Sequence, residues 1–222
     1  MTHDFDADYW DAVWAGARGS SMSVAPPNPH LVREVAGLEP GTALEAGCGA
    51  GAEALWLASR GWRVTGVDIA AGALEVADRR AAAEGLGDRV AWVEADLAEW
   101  EPGRRYDLVT THYAHPSIPQ LEFYERLAGW VAPGGTLFIV GHLHLHRGHG
   151  HHGHHGHGGD AGALEGSQPP AEASVTAAQI AALLGGDQWE IATVEESSRE
   201  MAGRGGVPAT VHDVVVRATR RS

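Results

Sequence analysis

From Thr42 onward the chain alternates between two kinds of segment. Short runs rich in β-branched and apolar residues are followed repeatedly by Ala- and Leu-rich runs of helical length. Strands are expected at Thr42–Ala46, Trp62–Val67, Val90–Val93, Tyr106–Thr111 and Thr136–Val140. Helices are expected at Ala52–Arg60, Ala71–Glu84 and Ile118–Val131. The punctuation agrees: Gly61 and Gly85 stop two helices, and Pro133-Gly134-Gly135 separates the third from its strand. Strands divided by helices of this length demand right-handed crossovers. The expected fold class is therefore α/β, a doubly wound, Rossmann-like, mostly parallel sheet.

Both ends depart from this rhythm. Residues 1–40 form a leader in which Tyr9, Trp10, Val13 and Trp14 share one face of a short helix. The stretch Ala25–Pro29 cannot be helical inside, and Leu31–Leu38 reads as a helix ended by Pro40-Gly41. Residues 142–173 are a His/Gly-rich, then Gly/Pro/Ala/Glu-rich, insertion. Order resumes with a helix at Thr176–Leu184 and strands at Gln188–Glu195 and Ala209–Ala218, joined by Gly203-Arg204-Gly205-Gly206. That pair is expected as an antiparallel hairpin on the sheet edge.

Composition excludes several functions. With 222 residues the chain can bury a core without staples, and its formal net charge of -13 repels phosphate backbones and anionic membranes. Nucleic-acid and membrane partners are not expected. A single cysteine, Cys48, rules out an internal disulfide. The acidic, aromatic N-terminus has no signal-peptide pattern, so a cytoplasmic location is expected. Monomer and homodimer both stay open.

The chemistry concentrates at strand ends. Glu45-Ala46-Gly47-Cys48-Gly49-Ala50-Gly51 is a glycine-rich turn between the first strand and its helix. Glycine is needed where backbone must approach a ligand without a Cβ, and the following helix starts with unpaired N–H groups. Asp68 ends the second strand, where a carboxylate can accept from both hydroxyls of a ribose. Asp96 follows the third strand. Helix capping explains any one of these acids alone, but not the glycine turn with them. The spacing also satisfies a nicotinamide-dinucleotide fingerprint, and an oxidoreductase is one alternative. Glu45 opposes that reading, because it would face a pyrophosphate; it suits a cationic ammonium. A ligand with a ribose, an adenine-like donor and a positive charge fits best, as in S-adenosylmethionine.

The chain resembles class I S-adenosylmethionine-dependent methyltransferases. The resemblance lies in Glu45–Gly51, Gly66-Val67-Asp68-Ile69, Glu94-Ala95-Asp96-Leu97, Tyr106–Thr111 and Pro133–Leu137. It makes residues 41–222 a methyltransferase domain interrupted by the insertion at about 142–173. It implies that Glu45 holds the methionyl amino group and that Gly47, Cys48, Gly49 and Gly51 form the turn beneath the cofactor. Asp68 would grip the ribose, Ile69 would pack on the adenine, and Asp96 with Leu97 would bind its amino edge. The leader, Pro27-Asn28-Pro29 and Trp56–Trp62 are also similar to thiopurine- and tellurite-resistance-type methyltransferases. Those act on small molecules with soft sulfur, selenium or tellurium nucleophiles.

The acceptor side is read from the rim. His112, Tyr113 and His115 follow the fourth strand and His142 follows the fifth. They are the candidate catalytic and acceptor-lining residues, His112 also bordering the cofactor, since His is suited to proton removal near neutral pH. The sequence after the fourth strand is His112-Tyr113-Ala114-His115 and not an Asn/Asp-Pro-Pro-Tyr motif, which argues against base N-methylation. Tyr9, Trp10 and Trp14 are candidates for a lid over the cofactor. Residues 142–157 hold nine of the fourteen histidines. His144, His146, His149, His151 and His152 could take up a divalent metal, but with no fixed geometry and no acidic partner no metal site is assigned. A metal-binding module on a methyltransferase-like scaffold is the other alternative.

Overall fold

The computed structural model describes residues 5–143, 174–202 and 208–222. The expected insertion beyond Leu143, with its five candidate metal-ligand histidines, lies outside them, as does the Gly203–Gly206 turn.

Among the described residues seven strands form one sheet: β1 (Thr42–Ala46), β2 (Arg63–Asp68), β3 (Val90–Glu94), β4 (Tyr106–His112), β5 (Val131–His142), β6 (Trp189–Ala202) and β7 (Pro208–Arg220). Their order is β3-β2-β1-β4-β5-β7-β6. The first five pair in parallel, and β7 runs antiparallel between β5 and β6. The fold class read from the sequence is the one observed. From β1 the chain winds outward to β2 and β3, and β4 returns to β1's other side. The loops after β1 and β4 therefore diverge and leave a crevice, as at other switch points of open α/β sheets.

Seven α-helices accompany the described strands: α1 (Ala7–Ala15), α2 (Ala17–Met22), α3 (Pro29–Val35), α4 (Ala52–Ser59), α5 (Ala71–Ala83), α6 (Gln120–Gly129) and α7 (Ala177–Leu183). The sheet is covered on both faces because side chains alternate along each strand. On β5, Leu137 and Ile139 join a core with Phe123 and Leu127 of α6 and Ile180 of α7. Phe138 and Val140 face the other way, onto Leu31 and Val35 of α3 and Leu57 of α4. Each cap uses its own chemistry. Asn28 accepts from the His30 N–H ahead of Pro29, and Thr176 makes a capping box with Gln179.

Three departures from the expected elements have physical causes. Helix α2 was not expected, because its glycine and serines have weak helix propensity. Strand β5 begins at Val131 and runs through Pro133-Gly134-Gly135 as a bulge, with Gly134 at φ 77. The closing hairpin is longer than expected, reaching Ala202 and starting at Pro208. Its pairing continues through Arg199↔Val211 and Ser197↔Asp213, which carries polar residues to the crevice.

Candidate active site

The glycine turn is built by backbone geometry. The N–H groups of Gly47 and Cys48 both donate to the Val67 carbonyl, at 2.8 and 3.0 Å, locking β1's exit onto β2. Gly47, Gly49 and Gly51 have φ of 75, 49 and 79, a region costing other residues about 1–2 kcal/mol. Space matters as well. A Cβ on Gly47 would strike the Ala114 methyl, and one on Gly49 would come within 2.6 Å of the Trp14 indole.

Two acids flank this turn. Asp68 is buried at the end of β2, with Oδ2 accepting from the Gly49 N–H at 2.7 Å and Oδ1 from the Ala70 N–H at 3.0 Å. Burial raises its pKa against the lowering effect of these backbone donors. Glu45 is 1% exposed, and its Oε1 lies 2.8 Å from Nδ1 of His112. Burial raises the Glu45 pKa. Although burial opposes it, the Glu45 carboxylate lifts that of His112, so the pair holds its proton tightly. Glu45 Oε2 and His112 Nε2 are sealed from solvent without hydrogen-bond partners among the described residues. Glu53, in the first turn of α4, accepts from the Asn28 N–H at 3.0 Å. Ligand atoms of Glu45, Glu53 and His112 lie within 4.8 Å of one another. An unpartnered carboxylate oxygen in such company needs a cation or a donor.

A cavity of about 370 Å³ opens beside them at the carboxyl edge of the sheet. Gly47, Cys48, Gly49, Asp68, Ile69, Asp96 and Leu97 line one side of it. Glu45 and Gly51 lie behind that wall and do not line it. Asp96 also accepts from the Ala98 N–H at 2.8 Å, so capping and cavity roles coexist in one carboxylate. Cys48 is buried, and burial with Asp68 and Glu45 nearby pushes its thiol well up, which suits a wall residue and not a nucleophile.

His112, Tyr113, His115 and His142 line the opposite side. Tyr113 adopts φ 56, unusual for a bulky residue, and its hydroxyl donates to Asp213 Oδ1 at 2.7 Å. The same oxygen accepts from Arg199 Nη2 at 2.9 Å and Asn28 Nδ2 at 3.3 Å. Asp213 Oδ2 in turn receives Arg199 Nε at 2.7 Å and faces His30 Nε2 at 3.1 Å. Burial and Asp213 push the Tyr113 hydroxyl well above its ordinary pKa. The His142 ring stacks on Tyr113 at 4.4 Å and on His115 at 5.4 Å. From the leader, Trp10 and Trp14 line the cavity with Phe5, while Tyr9 stays off it, edge-on to Phe5 and Trp10.

Sequence reasoning missed Glu53, Arg199 and Asp213. Asp213 carried a signal: an acid directly before Val214-Val215-Val216 in an apolar strand is buried and therefore partnered. Arg199 carried none, because its strand was expected to end at Glu195.

Fold and site together define a class. A sheet of this order, with a glycine turn, an acid after β2 and an acid-backed crevice at the switch point, is the arrangement of a class I methyltransferase. Residues 43–135 match the family described as Methyltransferase domain, and this match, with the sequence and fold similarities below, supports a class I S-adenosylmethionine-dependent methyltransferase. Ribosomal RNA small subunit methyltransferase C of Alcanivorax borkumensis is 33% identical over 112 residues, covering 48% of this chain and 34% of that protein. Probable thiol methyltransferase 2 of Arabidopsis thaliana is 29% identical over 139 residues, covering 59% of this chain and 60% of that protein. The chain thus spans about a third and three fifths of the length of these two curated relatives. In fold it is similar to magnesium protoporphyrin IX methyltransferase from Synechocystis PCC 6803 with bound SAM. That likeness has a TM-score of 0.64 and 17% identity, covering 100% of this chain and 99% of that one. The names of these relatives imply different acceptors, and the family match spans the segment holding Glu45, Asp68 and Asp96.

Proposed function

We propose that the chain transfers a methyl group from S-adenosylmethionine to a small-molecule nucleophile. The acceptor atom would be sulfur, selenium or tellurium, or the oxygen of a sugar or phenol. The observation that carries this reading is the cavity at the carboxyl edge of the sheet, where the Gly47–Gly49 backbone, Asp68 and Asp96 form one wall and Glu45 stands behind it with Oε2 unpartnered among the described residues. Asp68 and Asp96 offer acceptors to a ribose and an adenine amino group, and Glu45 adds a negative charge behind the turn that suits a cationic ligand. When bound, S-adenosylmethionine supplies an electrophilic methyl on a sulfonium.

The protein's own residues then have distinct tasks. Glu45, held by His112, would take the amino group, Asp68 the ribose, and Asp96 with Ile69 and Leu97 the adenine. Phe5, Trp10 and Trp14 of the leader would exclude water, which favours in-line displacement. A thiolate acceptor needs no base. A hydroxyl does, and His115 and His142 are the imidazoles at hand on the acceptor side. Tyr113, tied to Asp213 with its pKa raised, would shape the pocket and not move a proton. In this reading residues 1–40 are the lid and 41–222 the catalytic domain. A cytoplasmic location is part of it, fitting the lone Cys48. No described helix is long and apolar enough to cross a membrane.

Similarity to a probable thiol methyltransferase supports the sulfur-type acceptor, and the net charge of -13 supports a small molecule over nucleic acid. The test is calorimetric titration of the full chain with S-adenosylmethionine and with NAD. A turnover screen across thiols, selenols, sugars and phenols follows. Micromolar S-adenosylmethionine binding with no NAD binding is expected; the reverse result overturns the assignment. A second reading rests on the Glu45, Glu53 and His112 cluster, whose spacing also suits a divalent ion. Zinc that binds and is not displaced by S-adenosylmethionine would favour it.

A further inference from the structure

Arg199 is the one permanently charged cation among the described residues lining the cavity, whose acids Glu53, Asp68 and Asp96 belong to the cofactor strands or the turn of α4. It is pinned, not free to wander. Nε bonds Asp213, which is 0% exposed, and one Nη2 hydrogen goes to the Tyr113 hydroxyl. A guanidinium has five N–H donors. Three of them have no acceptor among the described residues, on a side chain that is 25% exposed. A donor set fixed by a buried carboxylate and left with spare N–H groups is pre-organised for an oxyanion.

Its place in the fold fixes which end of the cavity it serves. Asp213 lies opposite His142 on β7, and β1, β4, β5 and β7 are successive neighbours. At about 4.8 Å per strand, Asp213 stands roughly 14 Å across the sheet from β1 and the glycine turn. Between the two lie Tyr113, His115 and His142. We infer that Arg199 is an anion-binding post at the acceptor end, and that the acceptor is a small apolar molecule carrying a carboxylate. The anion would be drawn away from the acid-lined cofactor end, leaving the apolar body under Trp10 and the nucleophile pointed toward the turn. This inference rests on the proposed cofactor reading.

The test uses the full chain and an isosteric pair of probes, phenylacetate and phenylacetamide. Quenching of intrinsic tryptophan fluorescence reports occupancy, because Trp10 and Trp14 line the cavity. Each titration is made with and without S-adenosylhomocysteine, whose own binding is followed by calorimetry. Phenylacetate is expected to bind at least tenfold more tightly than phenylacetamide. R199Q should abolish that preference and leave S-adenosylhomocysteine affinity within twofold. R199K, which keeps charge but not the fork, should retain part of the preference even if R199Q folds poorly. Equal binding of both probes to the wild-type chain, or a preference unchanged in R199Q, overturns the inference alone. Absence of S-adenosylhomocysteine binding overturns the cofactor reading and this inference with it.

Discussion

His112 Nδ1 stands 2.8 Å from Glu45 Oε1 with both side chains sealed from solvent, so one buried pair links the end of β4 to the end of β1. The Glu45 carboxylate raises the His112 pKa above its ordinary value, while burial opposes the charge. Burial raises that of Glu45 as well. A raised value in the folded state means that folding takes up protons. The resulting stabilisation is full below the ordinary histidine pKa of about 6.5 and fades as pH rises through the folded value. The melting temperature of the wild-type chain should therefore fall between pH 6 and pH 9. The double variant Glu45→Gln/His112→Asn, which removes both titrations, should give a flatter profile. Parallel slopes in thermal melts would remove the pair from the pH response.

Asp68 is tied to the backbone at two points, through the N–H groups of Gly49 and Ala70. Asp68→Ala should weaken S-adenosylmethionine binding by about 1–3 kcal/mol, through lost ribose hydrogen bonds and a slackened turn. Asp68→Asn keeps one acceptor oxygen and should fall between. Calorimetry decides: unchanged affinity in Asp68→Ala removes the ribose role.

Gly49 combines φ 49 with a side-chain space that the Trp14 indole already fills. Gly49→Ala should destabilise the chain by about 1–2 kcal/mol from the backbone alone, plus a steric part. Adding Trp14→Ala should return the steric part and not the backbone part. A double-mutant cycle by urea denaturation separates them. A coupling of zero would show that the indole does not press on the turn in solution.

Asp107 clamps the start of β1 to β4, its Oδ2 accepting from Thr42 N–H at 2.7 Å and Thr42 Oγ1–H at 2.8 Å. The Thr42 N–H, chief among its partners, holds the Asp107 pKa below its ordinary value. Its contribution is thus present above about pH 3.9 and lost as pH falls through the lowered value. Asp107→Ala should cost about 1 kcal/mol at pH 7, and the gap should close toward pH 3. A gap that stays constant in denaturation curves across that range refutes the clamp.

Half of the site was written in local order. Glu45, the three glycines, Asp68 and Asp96 all sit at strand ends or just beyond them, so once the βα rhythm was read their convergence on one sheet edge followed from topology. The rhythm itself was legible because hydrophobic periodicity and glycine punctuation act within a few residues. His112, Tyr113, His115 and His142 were placed for the same reason: His112 and His142 end β4 and β5, one residue beyond the expected strand for His112 and two for His142, and Tyr113 and His115 follow β4.

What only the tertiary structure decided is who touches whom across long separations. The left-handed turn at Tyr113 aims its hydroxyl at Asp213, and Arg199 reaches both from a hairpin that the chain alone gave no reason to lengthen. Asn28, His30 and Glu53 join through pairings 25 to 183 residues apart. Propensity and periodicity are short-range, and carry no information about a buried carboxylate's partners. Those are chosen when the sheet closes and each polar group sealed inside must find a donor or acceptor.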